Sequence, residues 1–289
     1  MSETSFILER AGRQPIYGDL ETPDPSGKLD RQSYPVIVIS HGFLGYKDWG
    51  FFPYLTKRAV EKGYAAVRFS FSQSGVTPPS RSINRPDLFR ENTIKSELED
   101  YAVLFDALGS GELPFSERLD ISHCALIGFS RGGATAVLYS SDPVYENKSA
   151  RVKVLCTIGA MSDWFAFDNR MMDFWDENRE MRIEYPGKGD LVLGPSALED
   201  YELHSSSYHL LRAAGKITIP WLIFHGAKDS TVPTENSKVL YEHSDQRLSV
   251  LSIIEDCDHS MNWKSNSSES DPAFAKATET LFGFLSSHL

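Results

Sequence analysis

A serine hydroxyl attacks a carbonyl only when a base within hydrogen-bond reach takes its proton and a third group orients that base. One serine in this chain stands where such chemistry is built. Ser130 lies in Gly128-Phe129-Ser130-Arg131-Gly132, directly after the apolar run His123-Cys124-Ala125-Leu126-Ile127 and before Gly133-Ala134-Thr135-Ala136-Val137-Leu138-Tyr139. The first run reads as a buried strand and the second as a helix. A serine at the tip of a strand–turn–helix is held in a strained backbone conformation with its hydroxyl above the sheet. Only very small residues fit two places before and two after it, and both are glycine here. This is the G-x-S-x-G nucleophile-elbow pattern, and the flanking strand and helix separate it from an ordinary Gly-rich turn.

The base and the orienting acid follow downstream. Trp221-Leu222-Ile223-Phe224-His225-Gly226 is an apolar strand, and Asp229 lies in the loop after it. That loop is at the carboxyl edge, where open α/β sheets place their sites. Leu248-Ser249-Val250-Leu251-Ser252-Ile253-Ile254 reads as one more strand, ending in Glu255-Asp256-Cys257-Asp258-His259. The order Ser130, Asp229, His259 matches that of strand-elbow hydrolases. Asp256, Asp258 and Asp163 compete for the role of acid. Asp258 adjoins His259, and neighbours in an extended loop point apart, so Asp229 is preferred. Cys257 is a second nucleophile type near His259, but it lacks the elbow context. His41 and His225, each in a His-Gly turn after a strand, read as structural rather than as bases.

The elements that must position these residues are legible in outline. Phe6-Ile7-Leu8-Glu9 and Pro15-Ile16-Tyr17-Gly18-Asp19-Leu20 form an opening antiparallel hairpin around Gly12. Val36-Ile37-Val38-Ile39 is the first fully apolar strand and Ala65-Ala66-Val67-Arg68-Phe69 the next. Residues 51–61 and 92–107 have helical periodicity, 152–159 reads as a buried strand, and Asp271-Pro272 opens the last helix. Strands alternating with helices predict an α/β fold, a mostly parallel sheet with helices on both faces.

The chain resembles the α/β-hydrolase family, with the nearest likeness to its dienelactone-hydrolase, feruloyl-esterase and serine-aminopeptidase-like branches. The residues that carry the resemblance are His41-Gly42-Phe43-Leu44-Gly45, Gly128 to Gly133, His225-Gly226 through Asp229 with Val232-Pro233, and Asp258-His259. It runs from Pro35 to the C-terminus and is specific for fold and triad, not for substrate. It implies an oxyanion hole made by the backbone N–H of Phe43 and by that of Arg131, the residue after the nucleophile. Arg131 departs from the Met, Gln or Leu often found at that place. An ion pair with a nearby carboxylate is preferred for its side chain over recognition of an anion.

Residues 161–215 break the strand–helix rhythm and resemble a cap inserted into a core of residues 1–160 and 216–289. Trp164, Phe165, Phe167, Met171, Met172, Phe174 and Trp175 crowd its first part among aspartates. Trp164, Phe165 and Phe167 are the expected substrate contacts; packing onto the body or a homodimer contact is the alternative use of these side chains. Tyr185-Pro186-Gly187-Lys188-Gly189 reads as a turn, and 197–214 as helical.

Composition narrows the partners. The 289 residues are 41% hydrophobic, enough for one large core. A net charge of −11 argues against nucleic acid or an anionic membrane as partner. No apolar run approaches the roughly 20 residues that cross a bilayer, and the N-terminus has no visible secretory signal. Three cysteines, an odd number, fit reduced thiols in the cytoplasm. No cluster has metal-ligand spacing and no dinucleotide fingerprint follows the first strand, so neither a metal nor another cofactor is expected. The motifs and the resemblance imply a serine hydrolase for carboxylic esters, with small or aromatic acyl groups expected from the aromatic cap and the feruloyl-esterase-like His41-Gly42-Phe43 turn. An aminopeptidase-like or acyl-peptide hydrolase, whose substrate ammonium Asp163 or Asp168 would hold, is the alternative enzyme. A hydrolase-fold binding protein is the non-enzymatic one.

Overall fold

The computed structural model describes residues 2–24, 32–164, 177–185, 189–264 and 271–289. Its frame is an eight-stranded sheet of β1 (Ser2–Leu8), β2 (Ile16–Thr22), β3 (Tyr34–Ser40), β4 (Ala65–Ser70), β5 (Leu119–Phe129), β6 (Val152–Ile158), β9 (Trp221–Gly226) and β10 (Ser249–Ile254). A separate antiparallel pair, β7 (Met181–Tyr185) and β8 (Gly189–Leu193), lies between β6 and β9 in the chain. The strand order is β1-β2-β4-β3-β5-β6-β9-β10. The pairs β1/β2 and β2/β4 are antiparallel, and every pair from β4 to β10 is parallel.

The central strands are continuous apolar runs because both of their faces are covered. Their alternation divides the core in two. Val36, Val38, Cys124 and Leu126 join a cluster with the helices Ile94–Ser110 and Arg131–Ser141. Ile37, Ile39, Ala125 and Ile127 join another with the helices Phe52–Glu61 and Pro272–His288. Consecutive residues point to opposite faces of a strand, so one apolar run feeds both layers. Local signals set the helix ends. Thr93 and Ser96 form a reciprocal capping box, Gly111 closes the same helix in the left-handed region, and the Asp271 carboxylate accepts from Ala273 N and Phe274 N.

A charge network centred on the buried Arg68 ties the opening hairpin to the loop after β3. The Arg68 guanidinium meets Glu3 at 2.6 Å, Asp19 at 3.0 Å and Asp48 at 3.0 Å, and also Glu21. Lys47 pairs with Asp19 and with Asp48, and its backbone N–H donates to Ser70 Oγ at 3.0 Å. The far end of the His41–Gly45 turn is thereby pinned to the sheet.

Two parts of the insertion differ from the sequence expectation. The stretch 197–214 is not one helix but two, Pro195–His204 and Leu210–Ala214. Ser205-Ser206-Ser207 separates them, and the N–H groups of Ser207 and Tyr208 both turn back to His204 O. Short hydroxyl side chains compete for backbone groups and favour such turns over helix. Tyr185 and Gly189 instead end two strands, β7 and β8, which pair from Met181↔Leu193 to Tyr185↔Gly189. The alternation Met181-Arg182-Ile183-Glu184-Tyr185 was the available signal for a half-buried strand.

Candidate active site

The elbow is built as its glycines require. Ser130 has φ 54° and ψ −123°, a conformation rare for a residue with a Cβ, and holding it costs about 1–3 kcal/mol. Its N–H donates to Ile158 O at 2.8 Å on β6, and its carbonyl accepts from Gly133 N at 2.9 Å as the helix begins. A Cβ on Gly128 would come within 2.5 Å of Gly132 O, and one on Gly132 within 2.2 Å of His41 O. Both obstacles are backbone and cannot rotate away. Gly42 also approaches closely from above, because a Cβ there would lie 2.8 Å from Ser130 Cβ. The turn after β3 therefore passes directly over the nucleophile position. The buried Tyr101 hydroxyl, 3.0 Å from Gly132 O and 2.5 Å from Ser40 Oγ, braces the underside.

Asp229 and His259 are brought together although 30 residues separate them, with His259 Nδ1 2.6 Å from Asp229 Oδ2. Asp229 is nearly fully buried and saturated with donors. Thr231 N at 2.9 Å and Val232 N at 2.8 Å donate to Oδ1, and His225 Nε2 lies 3.1 Å from Oδ2. Burial alone would raise its pKa. The bonds from His225, His259 and Val232 outweigh burial and hold the carboxyl well below the usual carboxylate range. The His259 ring lies beside the elbow, its centroid 4.8 Å from that of Phe129, the residue before Ser130. Gly159, at the end of β6 with φ 56°, leaves the room: a Cβ there would sit 3.2 Å from His259 Nδ1 and 3.3 Å from Asp229 Oδ2. Gly226 does the same for the two loops, since its Cβ would lie 2.3 Å from Cys257 O.

The competing residues have other partners. Asp256 is exposed and pairs with Lys228 at 2.6 Å. Asp258 Oδ1 accepts from Asn262 N at 2.7 Å and Ser260 Oγ at 3.0 Å, capping the turn that presents His259. Asp163 is exposed at the start of the insertion. Cys257 is buried, and burial together with Asp258, Asp271 and Asp229 pushes its thiol up to about 12. A thiol in that range is not ionised at neutral pH and is a poor nucleophile. His41 donates from Nδ1 to Gly42 O at 2.8 Å and accepts from Phe71 N at Nε2, 2.9 Å. Both nitrogens are thus committed to loop backbone, and burial lowers its pKa to about 4. His225 likewise spends Nδ1 on Ser237 Oγ at 2.6 Å, and its Nε2 donates to Val232 O at 2.8 Å with Asp229 Oδ2 beside it at 3.1 Å. Its bond to Asp229 is a role that spacing alone does not reveal, although His225 and Asp229 are four residues apart.

The turn holding Phe43 is closed by Gly45 N to Gly42 O at 3.1 Å, with Leu44 at φ 60°. Among the described residues no hydrogen-bond acceptor is found for the N–H of Phe43 or of Arg131. The Arg131 side chain makes the ion pair anticipated for it, with Nε 2.9 Å from Glu97 Oε1. Trp164 is 6% exposed, and its Nε1 donates to Tyr208 O at 2.8 Å. Its ring is therefore a wall packed into the body rather than an open platform. Phe165, Phe167 and Asp168 lie outside the described residues. A cleft of about 770 Å³ is lined by Lys47, Asp48, Arg68 and neighbours on the opening-hairpin side, and not by Ser130, Asp229 or His259. It belongs to the charge network. No group of three or more His, Cys, Asp or Glu among the described residues is arranged to hold a metal ion.

The insertion packs over the turn after β3. Met181, Leu191, Leu193 and Leu198 cluster with Val76, Ile83 and Phe89, and Phe43, Leu44 and Tyr46 pack against them. Gly194 N donates to Arg90 O at 2.8 Å, Ser196 Oγ to Glu91 at 2.8 Å, and Lys95 N to Asp200 at 3.0 Å.

A mostly parallel sheet carrying a strained serine at the carboxyl end of its central strand, with a carboxylate–imidazole pair on later loops, defines a hydrolase class. Residues 35–188 match the family model for the alpha/beta hydrolase fold, and the chain belongs to that family. Residues 121–260 match the model described as Serine hydrolase (FSH1), which makes the protein a hydrolase of the serine-hydrolase type. Comparison with curated protein sequences returns no match. Among solved structures, the chain is similar to Est1E from Butyrivibrio proteoclasticus with ferulic acid bound (18% identity, 98% of each chain covered, TM-score 0.70). It is similar to the esterase domain of a Rhodothermus marinus protein (20% identity, 98% of each chain, TM-score 0.63). It is also similar to a puromycin-hydrolyzing peptidase of Mycobacterium tuberculosis (18% identity, 99% of this chain and 39% of that one, TM-score 0.70). At these identities the likeness concerns the fold. No helix among the described residues is long and apolar enough to cross a membrane.

Proposed function

We propose that this protein is a serine carboxylesterase acting through an acyl-enzyme, with Ser130 as nucleophile, His259 as base and Asp229 as the orienting acid. The observation that carries the reading is the 2.6 Å contact of His259 Nδ1 with a buried carboxylate that three further donors keep ionised. A proton fixed on Nδ1 leaves Nε2 as the basic nitrogen. His259 then deprotonates Ser130, which attacks the ester carbonyl, and the N–H groups of Phe43 and Arg131 take the oxyanion. His259 returns the proton to the departing alcohol, and water repeats the sequence to release the acid. Each step uses side chains and backbone of this chain, so no cofactor enters. Each oxyanion donor stabilises the transition state by about 3 kcal/mol.

Residues 161–215 act in this reading as a cap over the site, with Trp164 and, by sequence, Phe165 and Phe167 shaping an apolar acyl pocket. The packing of Phe43 against the insertion's apolar cluster supports it. Small or aromatic acyl groups are the proposed substrates. A peptidase is the second reading, favoured by the acidic residues at the head of the insertion, Asp163 among them.

The test is a comparison of para-nitrophenyl butyrate with leucine naphthylamide and its N-acetyl form, alongside fluorophosphonate labelling. Ready ester hydrolysis, one covalent label on Ser130 and poor amide cleavage are expected. Labelling that persists in Ser130→Ala would sink the mechanism. Efficient cleavage confined to the free-amine amide would install the peptidase, because only the free ammonium can pair with a carboxylate such as Asp163.

A further inference from the structure

The elbow needs only the backbone of Arg131, yet its side chain is 12% exposed and held through two of its three nitrogens. Nε donates to Glu97 Oε1 at 2.9 Å and Nη2 to Asn92 Oδ1 at 2.8 Å. Glu97, itself 5% exposed, accepts from Thr135 Oγ1 at 3.0 Å, so the ion pair is locked to the elbow helix from both sides. Two rings approach the same guanidinium, Phe43 with its centroid 5.4 Å from Cζ and Trp164 at 5.8 Å. Each ring is anchored in turn. Phe43 rests on Phe89 at 5.4 Å, and Trp164 donates to Tyr208 O. One planar cation thus joins the turn after β3, the elbow helix, the start of the helix Ile94–Ser110 and the root of the insertion.

A guanidinium donates in its own plane and leaves its faces for aromatic rings; a lysine ammonium has no such plane, and a methionine has neither charge nor donors. The two residues drawn together, Phe43 and Arg131, are those whose N–H groups receive the oxyanion in the proposed function, on which this inference rests. We propose that the Arg131 side chain is a positioning residue for the oxyanion hole. It clamps the Phe43 turn and the Trp164 end of the insertion against the elbow, so that both N–H donors are in place before substrate arrives. Donors that tighten on the oxyanion rather than on the ground-state carbonyl affect kcat more than KM.

The test uses two variants of the full chain. Arg131→Lys keeps the charge beside Glu97 and loses the plane. The double variant Arg131→Met with Glu97→Gln removes both charges, so that no carboxylate is left buried alone. Sites are titrated with fluorophosphonate, and kcat and KM for para-nitrophenyl butyrate are measured per titrated site, with the melting temperature alongside. The expected result is a fall in kcat of about tenfold in Arg131→Lys, less than the 10²–10³ of losing a donor outright, with KM changed less than twofold. The double variant is expected to lose at least as much. A kcat per titrated site within threefold of wild type in Arg131→Lys, or a loss confined to KM, to the titre or to melting temperature, overturns the proposal. Wild-type protein that neither labels nor turns over ester overturns the serine-esterase reading beneath it, and the proposal with it.

Discussion

Asp229→Asn is the most informative single substitution, and its size follows from the hydrogen bonds around the carboxylate. Oδ1 accepts from two backbone N–H groups, Thr231 and Val232, while Oδ2 faces two imidazoles, His259 and His225. An asparagine offers one carbonyl oxygen and one NH2. If the NH2 met the backbone pair, two buried amides would lose their acceptor, at about 1–3 kcal/mol each. Backbone amides cannot give up their hydrogens, and His225 Nε2 is held as a donor by Val232 O at 2.8 Å, but the His259 imidazole can change tautomer. The carbonyl oxygen therefore turns to Thr231 and Val232, and the NH2 to His259. His259 Nδ1 must then accept, its proton moves to Nε2, and the base is lost. In the serine-protease triad the same exchange lowers kcat about 10⁴-fold, equivalent to roughly 5.5 kcal/mol. We expect a loss of that order for para-nitrophenyl butyrate, smaller than in Ser130→Ala or His259→Ala, whose residues are the reacting pair of the proposed mechanism. Stability follows the same carboxylate. Its folded pKa lies below the unfolded value of about 3.9, so its contribution is present above that value and is lost as pH falls towards the folded one. The melting-temperature gap between wild type and variant should accordingly narrow in acid. Retention of more than about a tenth of wild-type kcat in Asp229→Asn would refute the reasoning and send the search to Asp258 and Asp256.

Gly132→Ala should abolish the soluble fold or the elbow, because its Cβ would lie 2.2 Å from the His41 carbonyl; Gly283→Ala, with nothing within 4 Å, should be neutral or slightly stabilising by melting temperature. The buried His41 is lowered from 6.5 to about 4, so the unfolded chain binds a proton in that window and the folded one does not. Stability is complete above pH 6.5 and falls by up to about 3 kcal/mol through the window as the medium is acidified. Urea midpoints at pH 7.5 and 4.5 should differ less in His41→Gln than in wild type, and equal differences would contradict the buried neutral imidazole. Trp164→Ala should reorder the preference among acyl groups while Ser130 still takes the fluorophosphonate; an unchanged order with only a lower melting temperature makes the ring core.

What could be read from the sequence was local or periodic. The elbow is legible because its constraint acts within five residues, where Gly128 and Gly132 leave space that no side chain could share. The central strands are legible because burial on both faces makes them uninterrupted apolar runs, and the order Ser130, Asp229, His259 follows from where those runs end. The preference for Asp229 over Asp258 came from chain geometry, and their partners differ accordingly. Contacts between residues distant in the chain left no such trace. Nothing near Arg131 in sequence announces Glu97, Asn92, Phe43 and Trp164, and only the folding of four segments onto one point makes that cation a clamp. The second imidazole on Asp229 was hidden for a related reason, since His225 in a His-Gly turn is explained by loop bonding until the loop's curl brings Nε2 to the carboxylate. Trp164 shows the limit most plainly. Its aromatic surface predicts contact with something apolar, but whether that is substrate or protein depends on where Tyr208 O and Arg131 lie, and periodicity carries no information about either.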